Sequence, residues 1–178
     1  VRFICVRYGN VLASRGSVVP LFHHQIRAGG PVTITTEEMT RFLLSLEQAV
    51  DTVLAAVDTA ERGETYVPRL RGARVVDLAR ALIGDRKIAV KVTGIRPGEK
   101  VHEIMVSEEE IYRTVERGAY YAIRSILPEV CKGAPPAPAL TREFTSADDL
   151  MTYEETVDLL VRQRLRIEDV SGEDELLR

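Results

Sequence analysis

The chain has 178 residues, of which 45% are hydrophobic and 29% charged, an ordinary composition for a globular protein with a sizeable core. Its 24 Lys and Arg residues against 27 Asp and Glu residues give a net charge of −3, which excludes the basic field of a nucleic-acid-binding protein. Two cysteines without metal-ligand or redox spacing predict a reduced, cytoplasmic setting, and no apolar run reaches the length of a membrane span.

The first segment predicts a strand, a loop and a helix. Residues 1–8 are typical of a buried strand that takes Cys5 into the core, and Asn10 follows where that strand ends. Because open α/β sheets bind ligands beyond their strand ends, Asn10 can present its amide to a ligand; alternatively, the amide caps the turn. Ser17 is placed to cap the helix that follows. The apolar positions of this helix are Val18, Leu21, Phe22 and Ile26.

The next segment alternates strands and helices, as expected of an α/β protein. Short strands are predicted at residues 31–35, 42–44 and 65–68. Ser45 and Gln48 match a capping box, which predicts a helix start. That helix carries an apolar face that we expect to be buried against a sheet: Leu46, Ala49, Val50, Val53, Leu54 and Val57. A further helical stripe consists of Val75, Leu78, Ala79 and Leu82, and Gly84 ends it.

The segment 94–103 (GIRPGEKVHE) carries the strongest chemical signal in the chain. It follows the alternating strand pattern of residues 87–93, and its Pro-Gly pair predicts a tight turn. Arg96 carries a planar fork of donors suited to phosphate oxygens, and Glu99 offers acceptors to a diol. This pair suits a nucleoside diphosphate, although a surface Arg–Glu pair that fixes the turn gives the same pattern.

The C-terminal part of the sequence predicts two helices, a strand, a loop and a polar tail. Two more capping boxes start helices at Ser107 and Thr152, and residues 120–123 predict a strand. Residues 133–138 predict a proline-rich loop, and residues 168–178 a polar tail.

Several catalytic signatures are missing from the sequence. No Gly-rich dinucleotide fingerprint follows a strand, and no tyrosine has a lysine four residues later. His23 and His24 are adjacent, so they face different sides of a helix and do not form a metal pair. We therefore predict neither catalytic residues nor a metal site in this chain, which indicates a binding lobe and not a complete enzyme.

Five segments taken together resemble one family. They are residues 6–11, 14–22, 39–42, 46–50 and 95–100. They resemble the polysaccharide-biosynthesis branch of the extended short-chain dehydrogenase/reductases, which includes UDP-N-acetylglucosamine 4,6-dehydratases and nucleotide-sugar 4-epimerases. The resemblance implies an α/β fold: the C-terminal part of a Rossmann-like protein with its small α/β substrate-binding lobe. It assigns residues 1–150 to the last sheet strands and the UDP-sugar-binding lobe, and residues 151–178 to a C-terminal helix and polar tail.

The resemblance also implies roles for individual residues. Asn10 would contact the sugar or its nearer phosphate, Arg41 and Arg96 the diphosphate, and Glu99 the ribose hydroxyls. Ser17, Val18 and Pro20 would border the uracil. His102 and Glu103 belong to the same signature, and for them we expect a helix-anchoring role.

The expected function is therefore the UDP-sugar-binding portion of an NAD- or NADP-dependent 4,6-dehydratase or epimerase, with UDP-N-acetylglucosamine as ligand. The resemblance places the NAD(P)-binding domain in an N-terminal half that this sequence lacks, so we expect the chain alone to be inactive and the intact enzyme to be a homo-oligomer. The chain starts inside a predicted strand and without methionine, which fits the later part of a longer protein or an alternative start. The alternatives are a truncated, catalytically silent binding or assembly module, and a portion of a UDP-hexose 4-epimerase.

We also expect an exposed apolar sheet edge at residues 1–8, through which the isolated chain associates.

Overall fold

The computed structural model describes residues 1–131 and 137–170. Most of the predicted loop at 133–138 and most of the predicted tail lie outside the described residues. The chain groups into two compact units. Unit 1 comprises Val1–Gly9, Leu46–Leu70 and Ile104–Thr145, and unit 2 comprises Asn10–Ser45, Arg71–Glu103 and Ser146–Arg178. The functional division at residue 150 stays a prediction.

Short strands and four α-helices alternate along the described chain. The strands are β1 (Cys5–Val6), β2 (Asn10–Val11), β3 (Val32–Ile34), β4 (Thr40–Leu44), β5 (Thr65–Pro68), β6 (Gly72–Arg74), β7 (Val90–Val92), β8 (Ile104–Val106), β9 (Thr114–Arg117), β10 (Tyr120–Ile123) and β11 (Phe144–Thr145). The helices are α1 (Val18–Arg27), α2 (Leu46–Thr59), α3 (Val75–Ile83) and α4 (Tyr153–Arg162), with a 3-10 helix at Glu108–Arg113. In the described part of the chain, no helix is long and apolar enough to cross a membrane.

Unit 1 is built on a four-stranded sheet with the order β1–β5–β10–β9. β1 runs parallel to β5, whereas β10 is antiparallel to both β5 and β9. β8 and β11 form a separate antiparallel pair. Helix α2 covers the sheet with small side chains, and Ala56 packs with Tyr66 and Ala122 in a buried cluster.

Two predictions for unit 1 are wrong. The strand predicted at residues 1–8 is only the two-residue β1, and Cys5 is exposed, because β1 is the outer strand of the sheet and, among the described residues, pairs with β5 alone. The side of α2 that faces the sheet consists of Ala49, Thr52 and Ala56. Its larger apolar residues are exposed: Leu46, Val50, Val53, Leu54 and Val57. The 3.6-residue period correctly predicted a helix, but this helix carries apolar residues on two sides. The side with the small residues faces the sheet, because small side chains let α2 approach the strands closely.

The described part of unit 2 contains two small sheets and three α-helices. β2 runs parallel to β4, β4 is antiparallel to β6, and β3 pairs with β7 in parallel. α3 is central, since it packs against α1, α4, β3 and β6. The buried core joins Phe22 of α1, Leu82 of α3 and Leu160 of α4.

The helix ends of unit 2 largely follow the sequence. Gly84 ends α3 with a positive φ of 56°, a conformation that suits glycine. Thr152 and Glu155 form the predicted capping box of α4. α1 starts after Ser17 as predicted, but its buried side is Val19, Phe22, His23 and Ile26. Leu21, one of the predicted apolar positions, is half exposed and lines the cavity described next.

Candidate functional site

Unit 2 holds a cavity of about 210 Å³. It lies beyond the ends of the parallel strands β3 and β7 and beside the first residues of α1 and α3. Its apolar part is lined by Val18, Leu21, Phe22, Ile34, Met39 and Val75. Its polar part is lined by Asn10, Thr33, Thr35, Arg41, Thr93, Arg96 and Glu99. The end of a parallel strand pair is where α/β proteins place ligands, and an apolar surface with a few convergent polar groups is typical of such sites.

The structure brings most of the predicted site residues to this cavity. Asn10, Val18, Arg41, Arg96 and Glu99 line it, so the two arginines share one cavity although 55 positions separate them in the sequence. The other two predicted residues do not line it. Ser17 is the N-cap residue of α1, and its hydroxyl is buried without a hydrogen-bond partner in the described chain. Pro20 lies in the first turn of α1.

Arg96 and Glu99 form the predicted tight turn. The backbone N–H of Arg96 donates to a carboxylate oxygen of Glu99 at 3.1 Å, and the N–H of Glu99 donates to the Arg96 carbonyl at 3.1 Å. Gly98 completes the turn with a φ of 87°, in the region that favours glycine. The Arg96 guanidinium is exposed, and it has neither a hydrogen bond nor an ion pair with any residue in the described ranges. All of its donors therefore remain available to a ligand.

Most of the hydrogen-bond donors of the Arg41 guanidinium are used within the protein. Its guanidinium donates to three backbone carbonyls, those of Thr40 at 2.7 Å, Lys100 at 3.1 Å and Val101 at 3.2 Å. Its Nε lies 3.7 Å from a carboxylate oxygen of Glu103. The carboxylate partner of Arg41 is thus Glu103. Since a guanidinium has five N–H groups, about one donor of Arg41 is left for a ligand.

His102 and Glu103 do not anchor a helix, contrary to the expectation. They precede β8 and bind the strands of unit 2, with His102 Nδ1 at 2.9 Å from the Thr40 hydroxyl. The Glu103 carboxylate accepts a hydrogen bond from the Phe42 N–H. The Asn10 amide is assigned the orientation in which its nitrogen faces this carboxylate, so the nitrogen donates to Glu103 as well. Burial raises the pKa of the Glu103 carboxyl, and the hydrogen bond from Phe42 and the charge of Arg41 partly oppose that rise.

Several lining residues carried no readable signal in the sequence. Thr35 and Thr93 come directly after β3 and β7, and the register Ile34–Val92 brings them to the same sheet end. The sequence predicted β3 and β7 as two separate strands and did not predict that they pair with each other. Val75 was predicted only as part of a helical stripe, and Met39 only as part of the segment 39–42. Within residues 1–131 and 137–170, no group of three or more His, Cys, Asp or Glu side chains could hold a metal ion.

Known proteins similar to this chain include nucleotide-sugar enzymes. It is 46% identical over 123 residues to a UDP-glucose 4-epimerase of Rickettsia typhi, covering 67% of this chain and 36% of the relative. It is 45% identical over 123 residues to a UDP-N-acetylglucosamine 4,6-dehydratase (inverting) of Campylobacter jejuni subsp. jejuni serotype O:2, covering 68% and 36%. The chain thus spans about a third of the length of these relatives.

A solved structure and a family profile also match this chain. The X-ray structure of Pen from Bacillus thuringiensis matches 92% of this chain and 51% of that chain, with a TM-score of 0.81 and 30% identity. The predicted α/β class, as part of a Rossmann-like protein, is confirmed. The sequence profile described as polysaccharide biosynthesis protein matches residues 1–125. The chain therefore belongs to the polysaccharide biosynthesis protein family that includes nucleotide-sugar dehydratases and epimerases.

Proposed function

We propose that this chain is the substrate-binding portion of an NAD(P)-dependent nucleotide-sugar 4,6-dehydratase or epimerase, and that it holds the UDP part of a UDP-sugar in the cavity of unit 2. The observation that carries the proposal is the guanidinium of Arg96, which lies on the wall of a half-apolar cavity and has no partner among the residues that the structure describes. A planar fork of donors matches the oxygens of a diphosphate.

The other lining residues suit the remaining parts of such a ligand. Val18, Leu21 and Phe22 offer an apolar surface to the flat face of a base. Glu99 already accepts one backbone N–H through Oε2, which leaves acceptor capacity for ribose hydroxyls. The cavity volume of about 210 Å³ is below the roughly 300 Å³ at which complete ligand pockets begin. We therefore place only part of the ligand inside the cavity, with the sugar extending beyond it.

This chain contributes positioning and charge neutralisation in the proposal. Its 178 residues contain no Gly-rich fingerprint and no Tyr-x-x-x-Lys pair, so they do not fit a nicotinamide dinucleotide and we derive no hydride step from them. Epimerase and dehydratase relatives match the chain at 46% and 45% identity. The proposal accordingly covers both reactions, with UDP-N-acetylglucosamine as the first ligand to test.

Titration calorimetry tests the proposal with UDP, UDP-N-acetylglucosamine, uridine and inorganic phosphate. We expect the two diphosphates to bind and uridine to bind at least tenfold more weakly, because uridine lacks the group that Arg96 would hold. Diphosphate binding should also weaken as salt is raised. Binding of uridine equal to that of UDP, or no binding of either diphosphate at millimolar concentration, would refute the proposal.

A further inference from the structure

We infer that Glu103 is a positioning residue of the cavity: its carboxylate orients Asn10 and Arg41, so that ligand affinity depends on a side chain that does not itself line the cavity. The inference rests on the proposed binding of a UDP-sugar, but part of its test needs no ligand.

The Glu103 carboxylate receives donors from two neighbouring strands. From β2, the Asn10 side-chain nitrogen lies 3.0 Å from each carboxylate oxygen. From β4, the Phe42 N–H donates at 3.3 Å, and Arg41 Nε lies at 3.7 Å. β2 and β4 are adjacent and parallel, with Asn10 paired to Leu43. One carboxylate thus fixes side chains on both strands, and two of these side chains line the cavity.

The backbone of Glu103 is held equally firmly. Its N–H donates to the Ser146 hydroxyl at 2.9 Å, and its carbonyl accepts from the Ser146 N–H at 2.9 Å. The Ser146 hydroxyl also lies 2.6 Å from the hydroxyl of Thr40, which in turn contacts His102 Nδ1. Ser146 and Thr40 are both buried. The backbone that carries the carboxylate is therefore held before a ligand arrives, as a positioning group requires.

The chemistry of the carboxylate determines what it can hold. Ionised, it offers acceptors on both oxygens; protonated, one oxygen becomes a donor facing other donors. Loss of the acceptor frees Asn10 to rotate, because the terminal torsion of an asparagine is broad. Arg41 would keep its three carbonyl partners. Asn10 should therefore be the residue through which Glu103 acts most strongly.

Protonation of Glu103 should weaken binding. The groups facing it are the cationic Arg41 on β4, the neutral Asn10 on β2 and the neighbouring His102, whose ring contacts Thr40. Burial raises the Glu103 pKa, so its proton binds at a higher pH than that of an exposed glutamate. As the pH falls through this range, affinity should fall in the parent and stay flat in a variant that cannot ionise.

The test compares Glu103→Gln, Asn10→Ala and the double variant, with Glu168→Gln as the matched control. Glu168 also pairs with an arginine of unit 2, but this arginine, Arg86, does not line the cavity, whereas Arg41 does. The ligand is UDP-N-acetylglucosamine, because its esterified diphosphate lacks the second phosphate ionisation near pH 6. We expect Glu103→Gln to weaken binding roughly 3- to 10-fold, the scale of one net hydrogen bond, and to cost little more in the Asn10→Ala background. Glu168→Gln should bind like the parent.

Nuclear magnetic resonance supplies the readout that needs no ligand. The Asn10 side-chain amide signals should titrate with pH in the parent and lose that titration in Glu103→Gln. Additive losses in the two single variants, or Asn10 signals indifferent to Glu103→Gln, would overturn the inference. If the parent bound no UDP-sugar while the Asn10 signals followed Glu103, the proposed function would fail and the Glu103–Asn10 coupling would stand.

Discussion

Replacing Arg96 with alanine removes the one cavity arginine whose guanidinium has no protein partner within the described residues. A hydrogen bond to a charged group contributes about 1.5–3 kcal/mol, which corresponds to roughly 10- to 150-fold in the dissociation constant for UDP. The free energy of unfolding should change by less than about 0.5 kcal/mol, because an exposed side chain without partners is removed. Arg96→Lys should recover only part of the affinity, since an ammonium does not reproduce the planar fork.

Calorimetric titration with UDP, run beside urea unfolding, separates binding from stability. Arg15→Ala is the matched control, because Arg15 is an exposed arginine of unit 2 that does not line the cavity. Arg41→Ala should differ from both, since it breaks three hydrogen bonds to backbone carbonyls and lowers stability by about 1–3 kcal/mol. If Arg96→Ala bound UDP as tightly as the parent, the assignment of the diphosphate to Arg96 would be wrong.

Three further predictions concern stability. Gly72→Ala should cost about 3 kcal/mol or more in urea unfolding, because its new Cβ would lie 1.8 Å from the backbone oxygen of Ser146; a cost below 1 kcal/mol would contradict that contact. Burial lowers the pKa of His23 from 6.5, so folding stability should be complete above pH 6.5 and fall by up to about 1.4 kcal/mol per pH unit below it. His23→Gln should flatten this dependence between pH 7 and 5, and an unchanged slope would show that His23 is not its source. The hydrogen bond from Arg7 lowers the pKa of Glu110 below 4.5, so its contribution is present above pH 4.5 and lost as the pH falls through the lower folded value. Glu110→Gln should therefore cost about 1–3 kcal/mol at pH 7 and converge with the parent in acid; an equal gap at both pH values would argue against the ion pair.

Local signals in the sequence predicted local structure well. β5 and β10 occupy the residues predicted for them, 65–68 and 120–123. The capping box at Ser107–Glu110 is present, although the helix it starts is a 3-10 helix. The two residues of the capping box lie three positions apart, so this pattern contains its own partners. The box proposed for Ser45 and Gln48 stays a prediction.

Burial was harder to predict because it depends on distant neighbours. The α2 pattern contains large apolar residues and, on another side, Ala49 and Ala56; only the approach of the strands decides which side is covered. Cys5 looked like a core residue because its strand is apolar, yet an outer strand is covered on one edge only. Periodicity reports an apolar face and does not report what packs on it.

The segment 94–103 shows the same difference between structure that comes from local contacts and structure that depends on distant residues. Residues 94–99 form a turn from local contacts, and its tip presents Arg96. Residues 100–103 form no local structure of this kind; they are held by Arg41 and by the bonds of Glu103 to β2 and β4, partners about 60 to 93 positions away in the sequence. Two arginines that were assigned the same task therefore differ in donor supply, with most of the Arg41 guanidinium used to hold the segment that carries Arg96. Because residues 100–103 directly follow the turn and are held by partners elsewhere in unit 2, the placement of the turn at the cavity should depend on Arg41 and Glu103, whereas the shape of the turn comes from the contacts between Arg96 and Glu99.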